Sequence, residues 1–326
     1  MTRRRMSPGS RIAWVVGVVA AIALPAVAPA AGSQIHAKKP AVETRPVLPA
    51  RGVDAAGRTI VVRDVSRIVP LNGDVAEILF TLGLTRNVVA VDTSATYPPK
   101  LVDALPKIGY QRTLSAEGIL ALKPTLVIGT PTAGPAAVLD QLRSAGVTVL
   151  VVPEHKGIDA GARKLRAIGK ALGLPKRAER LAKQVEGQVA LAKKELARAT
   201  SKPKVAFLYL RGSQVQMLGG KGSGADAMIT AAGGIDMGTA AGIEGLQPLT
   251  AEALVAEAPD VLLLLTAGLQ SVGGVEGLLR LPGVAQTPAG KARRIIHYDD
   301  LLLLGLTPRT GKALRLLIRG LHPELR

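Results

Sequence analysis

The sequence contains no cysteine and very few aromatic residues, and both absences restrict what the chain can do. Without cysteine there is no disulfide, no thiolate metal site and no cysteine on which a lipid anchor could be built. Aromatic residues account for 2% of the chain, whereas 48% of its 326 residues are hydrophobic. The core must therefore be aliphatic, and the length suffices for two domains of ordinary size.

Groups of residues that would carry catalysis are also scarce. None of the four histidines has a second histidine at a spacing typical of metal ligands, and there is no Gly-x-Ser-x-Gly nucleophile motif. The glycine-rich residues 219–224 match neither a phosphate-binding loop nor a dinucleotide fingerprint. They form either a flexible turn or a set of N–H donors for an anion. We therefore expect a binding protein without catalysis; an enzyme and a purely structural envelope protein are the alternatives.

Lysine and arginine outnumber the acidic residues, which gives a formal net charge of +18. Such a charge is compatible with nucleic acid, an anionic membrane or an anionic small ligand as the partner. The basic residues are spread over many predicted helices, and few aromatic side chains are available to stack on bases. We therefore expect no nucleic-acid partner.

The N-terminal residues 1–31 have the three parts of a secretory signal. Residues 3–5 are arginines, residues 12–27 are mostly apolar, and residues 28–30 (APA) fit a small-residue cleavage site. The apolar stretch is short for a membrane span, which needs roughly 20 residues. We expect a cleaved signal, with an uncleaved anchor as the alternative, and a soluble, monomeric periplasmic protein of a two-membrane bacterium. Residues 32–58, rich in Lys, Pro and Ala, predict a disordered lead-in.

One long amphipathic helix is predicted at residues 175–201, and the rest of the chain is arranged around it. Its apolar positions recur at spacings of three and four, and they are Leu181, Val185, Val189, Ala192 and Leu196. Strand–helix alternation flanks it on both sides, which predicts parallel sheets covered by helices. We expect an α/β protein with two Rossmann-like lobes, residues 59–174 and 202–326, joined by this rigid spine. A long surface helix of a single domain is the alternative.

An internal repeat supports two lobes of similar construction. Residues 114–128 (LSAEGILALKPTLVI) align without gaps on residues 249–263 (LTAEALVAEAPDVLL). In each copy a Ser or Thr precedes a short helix, a proline ends it and a buried strand follows. The alignment places Glu117 opposite Glu252.

Several short motifs together resemble a known family of transport proteins. They are residues 72–79 (NGDVAEIL), 96–98 (TYP), 105–112 (LPKIGYQR), 114–118 (LSAEG), 133–135 (AGP), 231–234 (AAGG) and 303–309 (LLGLTPR). The chain from residue 67 onward resembles the cluster A-III (class III) periplasmic substrate-binding proteins of importers for vitamin B12, ferric siderophores and haem. It is most similar to the haem-binding HmuT/ShuT/PhuT group.

The resemblance implies that haem b (hemin) is held between the lobes and delivered to an ABC permease dimer with its ATPase subunits. A ferric siderophore or cobalamin is the alternative ligand. By the family motif, Tyr97 is expected to be the axial ligand, because a phenolate suits ferric iron. An isolated phenol has a pKa of about 10, so the iron and a nearby cation must favour its ionised form.

The remaining site residues follow from the same resemblance. Arg112 is expected to meet the phenolate or a propionate, whereas Tyr110 is expected to be a packing residue. His155 is either a second iron ligand or a surface residue. Glu117 and Glu252 are expected to dock onto permease arginines, although both would also favour their own helix N-termini. Three residues of the second lobe are expected at the cleft: Arg211, Ser223 and Met228.

Overall fold

The structure, a computed structural model, describes residues 45–325. The predicted signal at residues 1–31 and the first part of the predicted lead-in lie outside the described residues. Within residues 45–325, no helix combines the length and hydrophobicity that crossing a membrane requires.

The described chain alternates short strands and helices. The strands are β1 Ala50–Val53, β2 Thr59–Val62, β3 Ile68–Pro70, β4 Leu126–Gly129, β5 Thr148–Val151, β6 Lys204–Arg211, β7 Val215–Gly219, β8 Ile235–Asp236, β9 Leu246–Pro248, β10 Val261–Leu265 and β11 Ile295–Tyr298. The helices are α1 Gly73–Thr81, α2 Pro99–Val102, α3 Ala116–Leu120, α4 Ala136–Ser144, α5 Ala160–Ala171, α6 Pro175–Leu196, α7 Ala225–Ala231, α8 Met237–Ala240, α9 Ala251–Glu257, α10 Thr266–Ser271, α11 Gly274–Leu279, α12 Pro288–Lys291, α13 Asp300–Leu304 and α14 Thr310–Leu321.

The N-terminal lobe is built on a parallel sheet of order β3-β4-β5. Its central strand β4 reads LVIG and is buried throughout, as expected of a strand covered on both faces. The register pairs Ile68 with Leu126 and Leu126 with Thr148. The carboxyl ends of these strands therefore meet at one edge, where the following loops form one wall of the site described below.

The C-terminal lobe contains a sheet of order β11-β10-β6-β7-β9. Strands β6, β10 and β11 are parallel, but β7 runs antiparallel to both β6 and β9. The sheet is mixed and not wholly parallel as predicted, because Gly212, with a φ of 60°, lets β6 turn directly into β7. The prediction of a two-lobed α/β fold is confirmed.

Helix α6 connects the two lobes and contributes to both hydrophobic cores. Ala178, Ala182 and Val185 pack into the core of the N-terminal lobe. Further along, Ala192 packs into the core of the C-terminal lobe together with Val189 and Leu196. Helix α5 packs closely against α6 because it has glycine at position 169. A Cβ there would lie 2.1 Å from the Cβ of Ala178. One apolar stripe is thus shared by two lobes, which makes the helix a structural spine.

The spine helix ends at Leu196 and not at residue 201 as predicted. Its last turn tightens, since the Arg198 N–H donates to the Glu195 carbonyl. The N–H groups of Thr200 and Ser201 donate to the Glu324 carboxylate, at 3.3 and 3.2 Å. These two N–H groups therefore donate to the Glu324 carboxylate instead of to helical carbonyl groups. The helix is about 33 Å long at about 1.5 Å per residue.

The predicted lead-in, residues 32–58, is too long. Strand β1 lies within it and pairs antiparallel with β2. Gly52 brings this strand close to α5, because a Cβ there would lie 2.5 Å from the Cβ of Ala171. Upstream, the Val47 N–H donates to the Gly173 carbonyl at 3.0 Å. Small residues on both sides therefore fasten residues 47–53 to the N-terminal lobe.

The internal repeat corresponds to two equivalent pieces of structure. Ser115 caps α3 and Thr250 caps α9 through their side-chain oxygens. Lys123 and Ala258, which the alignment pairs, both adopt positive φ values, 48° and 44°. Each of these residues directly precedes a proline, which cannot continue a helix. The two helix–strand units therefore have the same kind of N-cap and the same left-handed backbone conformation before the proline.

Candidate functional site

A cavity of about 1000 Å³ lies between the two lobes. The N-terminal lobe lines it with loops that follow its strands, including residues 130–132 after β4 and 153–157 after β5. The C-terminal lobe contributes the end of β6, residues of α10 directly after β10, and residues 299–301 after β11. Ligands of α/β proteins bind at these carboxyl ends, so the cavity is the candidate binding site.

Two Tyr-x-Arg pairs line this cavity, one from each lobe. Tyr110 and Arg112 belong to the N-terminal lobe, and Tyr209 and Arg211 lie at the end of β6. Tyr110 is 43% exposed. The side chain of Arg112 is exposed and makes no hydrogen bond or ion pair with any residue in the range 45–325. The site therefore offers one uncompensated guanidinium beside an accessible phenol.

The loop that carries Tyr110 is held by its backbone. Gly109 has a φ of 91°, a conformation that favours glycine, and its carbonyl accepts from the Thr93 N–H at 2.9 Å. The Gln111 carbonyl accepts from the Gly134 N–H at 2.8 Å, and its side chain accepts a hydrogen bond from Asn72. These contacts fix the point from which the Tyr110 side chain enters the cavity.

Tyr97, the predicted axial ligand, lies outside this lining, and its role stays a prediction. Among the described residues, Tyr97 is not part of the cavity lining, although its neighbour Thr96 is. The Arg309 guanidinium lies over the Tyr97 ring at 3.8 Å from its centroid. Thr96 of the family motif thus contributes to the cavity wall, whereas Tyr110, predicted to be a packing residue, belongs to the lining. The exposures of the two tyrosines are similar, 38% for Tyr97 and 43% for Tyr110.

The guanidinium that covers Tyr97 belongs to an ion pair between the lobes. Arg309 donates two hydrogen bonds to the Glu77 carboxylate, at 2.9 and 2.7 Å. The Glu77 side chain is only 2% exposed. A second cross-lobe contact involves Lys164, whose Nζ donates to Asp74 and to the Gly305 carbonyl, both at 2.6 Å. These contacts join the two lobes, and Asp74, Lys164 and Gly305 also line the cavity.

The other residues predicted at the cleft divide into two groups. Arg112 and Arg211 line the cavity. Met228 does not, because it is fully buried in the core of the C-terminal lobe. Ser223 is also outside the lining, and its Oγ is buried near Gly219 without a hydrogen-bond partner in residues 45–325. Helix α7 turns Met228 and Ile229 to the core, so its neighbour Asp226 lines the cavity instead.

His155 lines the cavity on the loop after β5. Burial lowers the pKa of its imidazole, and the positive charges of Arg163 and Lys164 lower it further. Its neutral form is therefore favoured at neutral pH. A neutral imidazole is the form that binds a metal, so the site has a second donor that suits iron.

Glu117 and Glu252 occupy equivalent positions in the first turns of α3 and α9. Both side chains are exposed. Neither carboxylate forms an ion pair within the described part of the chain. The two lobes thus present one unpaired acid each from the same local structure.

A buried carboxyl, Asp92, lies directly before the loop that begins the cavity wall. Its Oδ2 accepts from the Ser94 N–H at 2.9 Å, while its Oδ1 has no partner among the described residues. Burial raises the pKa of Asp92 to about 6, with a further contribution from the charge of Asp74. The folded protein therefore binds this proton more tightly than the unfolded chain, whose pKa is near 3.8.

Asp92→Asn is expected to stabilise the protein at neutral pH. Because the folded-state pKa is raised, the stability contribution of the Asp92 proton is fully present below about pH 4 and is lost as the pH rises through about 6. The asparagine stays neutral, so the gain should be ~2 kcal/mol at neutral pH and should vanish near pH 3.5. Urea unfolding at both pH values measures it, with the exposed Asp103→Asn as control. An equal difference at both pH values would contradict this assignment.

The fold and cavity define a two-lobed ligand-binding protein. A family model described as "Periplasmic binding protein" matches residues 68–302. The chain belongs to the periplasmic binding protein family, whose members bind substrates and are not enzymes.

Solved structures and a curated relative agree with this membership. The apo periplasmic heme-binding protein RhuT from Roseiflexus sp. RS-1 is 52% identical, with a TM-score of 0.79 over 81% of this chain and 100% of that chain. The periplasmic heme-binding protein BhuT, solved with two hemes, is 36% identical, with a TM-score of 0.74 over 80% and 99%. An uncharacterized ABC transporter substrate-binding lipoprotein, YvrC of Bacillus subtilis (strain 168), is 26% identical over 282 residues, 85% of this chain and 87% of its own length.

Proposed function

We propose that this protein captures haem in the cavity between its lobes and delivers it to an ABC permease. The observation that carries the proposal is the convergence of two Tyr-x-Arg pairs, one per lobe, on a single cavity. Phenolate oxygen suits ferric iron, and guanidinium groups suit the carboxylates of a porphyrin. The similar proteins RhuT and BhuT, both described as heme-binding, support the same ligand.

The cavity also has a volume and a lining that suit a macrocycle. Leu301, Leu304 and Leu306 provide aliphatic surface on the side of the C-terminal lobe. Its volume of about 1000 Å³ is at the upper end of the range for small-molecule sites, roughly 300 to 1000 Å³. Apolar lining with a few converging polar groups is typical of cofactor sites.

We assign the principal iron ligand to Tyr110. It is accessible, and Arg112 is free to stabilise its phenolate or to bind a propionate. Tyr209 faces the same cavity from the other lobe, and His155 supplies an imidazole from the loop after β5. Tyr209 and His155 are therefore the candidates for a second ligand.

A titration with hemin tests the ligand class. The proposal expects a saturable Soret band with a charge-transfer absorption typical of tyrosinate bound to iron. Cyanocobalamin and a ferric hydroxamate siderophore, the alternative ligands, should not compete. Competition by either at stoichiometric concentration, or no saturation with hemin, would contradict the haem assignment. The number of hemins bound at saturation would be read from the same curve.

Delivery requires contact with a permease, and we propose Glu117 and Glu252 as the docking residues. Both are exposed and unpaired within the described range, and they lie on equivalent helices of the two lobes. A pair of separated acids on a basic protein gives a directional electrostatic contact with arginines. The helix N-termini would also favour these acids, but that contribution does not require them to be exposed.

The Glu117→Lys/Glu252→Lys double variant is expected to retain hemin binding and to lose most of its ability to stimulate the permease ATPase. Charge reversal at two contacts should weaken docking at least about tenfold. ATPase activity of the reconstituted transporter measures the effect, with Glu257→Lys as a control on the same helix α9. Full stimulation by the double variant would contradict the docking assignment.

We place this activity in the periplasm. The proteins RhuT and BhuT are described as periplasmic. YvrC is described as a lipoprotein, whereas the present sequence has no cysteine to carry such an anchor. Fractionation of expressing cells tests this: recovery in the periplasmic fraction supports a free protein, and recovery with the membrane indicates another means of attachment.

A further inference from the structure

The two Tyr-x-Arg pairs of the cavity differ in one respect that their sequences do not show. Arg112 has no ion-pair partner among the described residues, whereas Arg211 donates from Nη2 to the Asp300 carboxylate at 2.5 Å. Arg211 also donates from Nη1 to the Leu210 carbonyl at 2.9 Å and lies over the Tyr209 ring at 4.5 Å. One guanidinium is therefore available to an anionic ligand, and the other already holds a carboxylate.

Asp300 lies in the first turn of α13 but does not cap it. The N-terminus of α13 is capped by its neighbour, since the Leu302 N–H donates to Asp299 at 3.0 Å. Asp299 also accepts from Thr96 of the opposite lobe at 3.3 Å. The only hydrogen bond of the Asp300 side chain within residues 45–325 is the one from Arg211. A first-turn position favours an acid through the helix dipole, but the cap does not require the Asp300 carboxylate.

The Arg211–Asp300 pair is open to the cavity. Both residues line it, and their side chains are 36% and 35% exposed. An ion pair with this exposure is weak, because water screens it and competes for its hydrogen bonds. A ligand carboxylate that reaches Arg211 can therefore replace the carboxylate of Asp300. A porphyrin propionate belongs to the same chemical class as the group it would displace.

We propose that Asp300 is an internal competitor for the carboxylates of the ligand at Arg211. This inference rests on the proposed function and adds a specificity-determining residue to it. In the empty cavity Asp300 neutralises Arg211, so anions that lack a metal centre gain little there. A ferric porphyrin anchored through iron at Tyr110 brings its propionate to Arg211 at high local concentration and displaces Asp300. The pair therefore favours ligands that carry both groups.

The test compares Asp300→Asn with the parent for two ligands, hemin and hemin dimethyl ester. Both contain ferric iron, but the ester lacks the carboxylates. The inference expects Asp300→Asn to bind hemin about 3- to 10-fold more tightly and the ester no more tightly than the parent does. In the Arg211→Gln background, Asp300→Asn should give no gain. Asp300→Ser, which also removes the charge, serves as the second variant should the asparagine not fold.

Glu154→Gln is the matched control, because Glu154 also lines the cavity, is exposed and forms no ion pair within the described residues. An equal gain from Glu154→Gln would show that only the overall charge of the cavity matters and would overturn the inference. Unchanged or weaker hemin binding by Asp300→Asn would also overturn it, as would an equal gain for the ester. Saturable hemin binding by the parent is read first; its absence refutes the proposed function itself and is thereby distinguished from failure of this inference.

Discussion

Tyr110→Phe is expected to remove the tyrosinate-to-iron charge-transfer band and to weaken hemin binding about 10- to 100-fold, or ~1.4 to 2.8 kcal/mol. The phenylalanine keeps the ring and its packing but has no oxygen to bind the iron. Tyr110 is the tyrosine of the N-terminal lobe that lines the cavity, and Arg112 lies two residues away without an ion-pair partner in the described range. Absorbance titration and resonance Raman spectra of the complex measure both effects.

Tyr97→Phe is the control for that experiment. Its ring packs under Arg309 outside the cavity lining, so the variant should keep the charge-transfer band and bind hemin within about twofold of the parent. The opposite pattern, with the band lost in Tyr97→Phe and retained in Tyr110→Phe, would restore the family motif at residues 96–98 as the source of the ligand. Loss of the band only in Tyr209→Phe would move the principal ligand to the other lobe.

Arg309→Met is expected to destabilise the protein by about 3 kcal/mol, because it leaves the Glu77 carboxylate buried without a partner. Glu77 is 2% exposed, and Arg309 satisfies both of its oxygens. The same substitution removes the cation over the Tyr97 ring. Urea unfolding followed by circular dichroism measures the change in the free energy of unfolding, provided that the transition is two-state.

The double variant Glu77→Gln/Arg309→Met separates the coupling energy of the ion pair from the cost of losing either charge alone. Removing both charges should recover more than half of the loss, since the cost arises mainly from the uncompensated buried carboxylate. Additive losses in the two single variants would contradict a coupled pair. As an external comparison, Arg143→Met breaks the exposed pair with Asp140 and should cost less than about 1 kcal/mol.

The spine and the two lobes could be predicted from the sequence because they depend on local patterns. Apolar spacing located the start of α6 at Pro175, and the structure divides that stripe between two cores. The end of α6 could not be located in this way. Beyond it, the N–H groups of Thr200 and Ser201 donate to Glu324, which lies more than a hundred residues away in sequence.

The candidate site was predicted in part. Three of the predicted residues line the cavity: Arg112, Arg211 and His155. The sequence indicated them because Arg112 ends a family motif, Arg211 ends a strand and His155 follows one. The two tyrosines of adjacent motifs differ in their place relative to the cavity, since Tyr110 lines it and Tyr97 does not. Arg309, which is 232 residues from its partner Glu77, lies over the Tyr97 ring. No spacing in the sequence reports such a contact.

Some missed features did leave a signal. Glu77 stands in an apolar helix between Ala76 and Ile78, where a charge needs a partner. Met228 recurs with Ala225, Ile229 and Ala232 at helical spacing, which predicts a core residue more directly than a ligand contact. The second Tyr-x-Arg pair, at residues 209–211, also stands in the sequence. Comparing it with residues 110–112 would have shown that each lobe carries one.

The crystal structure of the hemin complex tests the central claim most directly. We predict haem between the lobes, its iron bonded to the Tyr110 oxygen and a propionate within hydrogen-bond distance of Arg112 or Arg211. Haem bound outside this cavity, or iron bonded to Tyr97 with Tyr110 turned away from the ligand, would contradict the account.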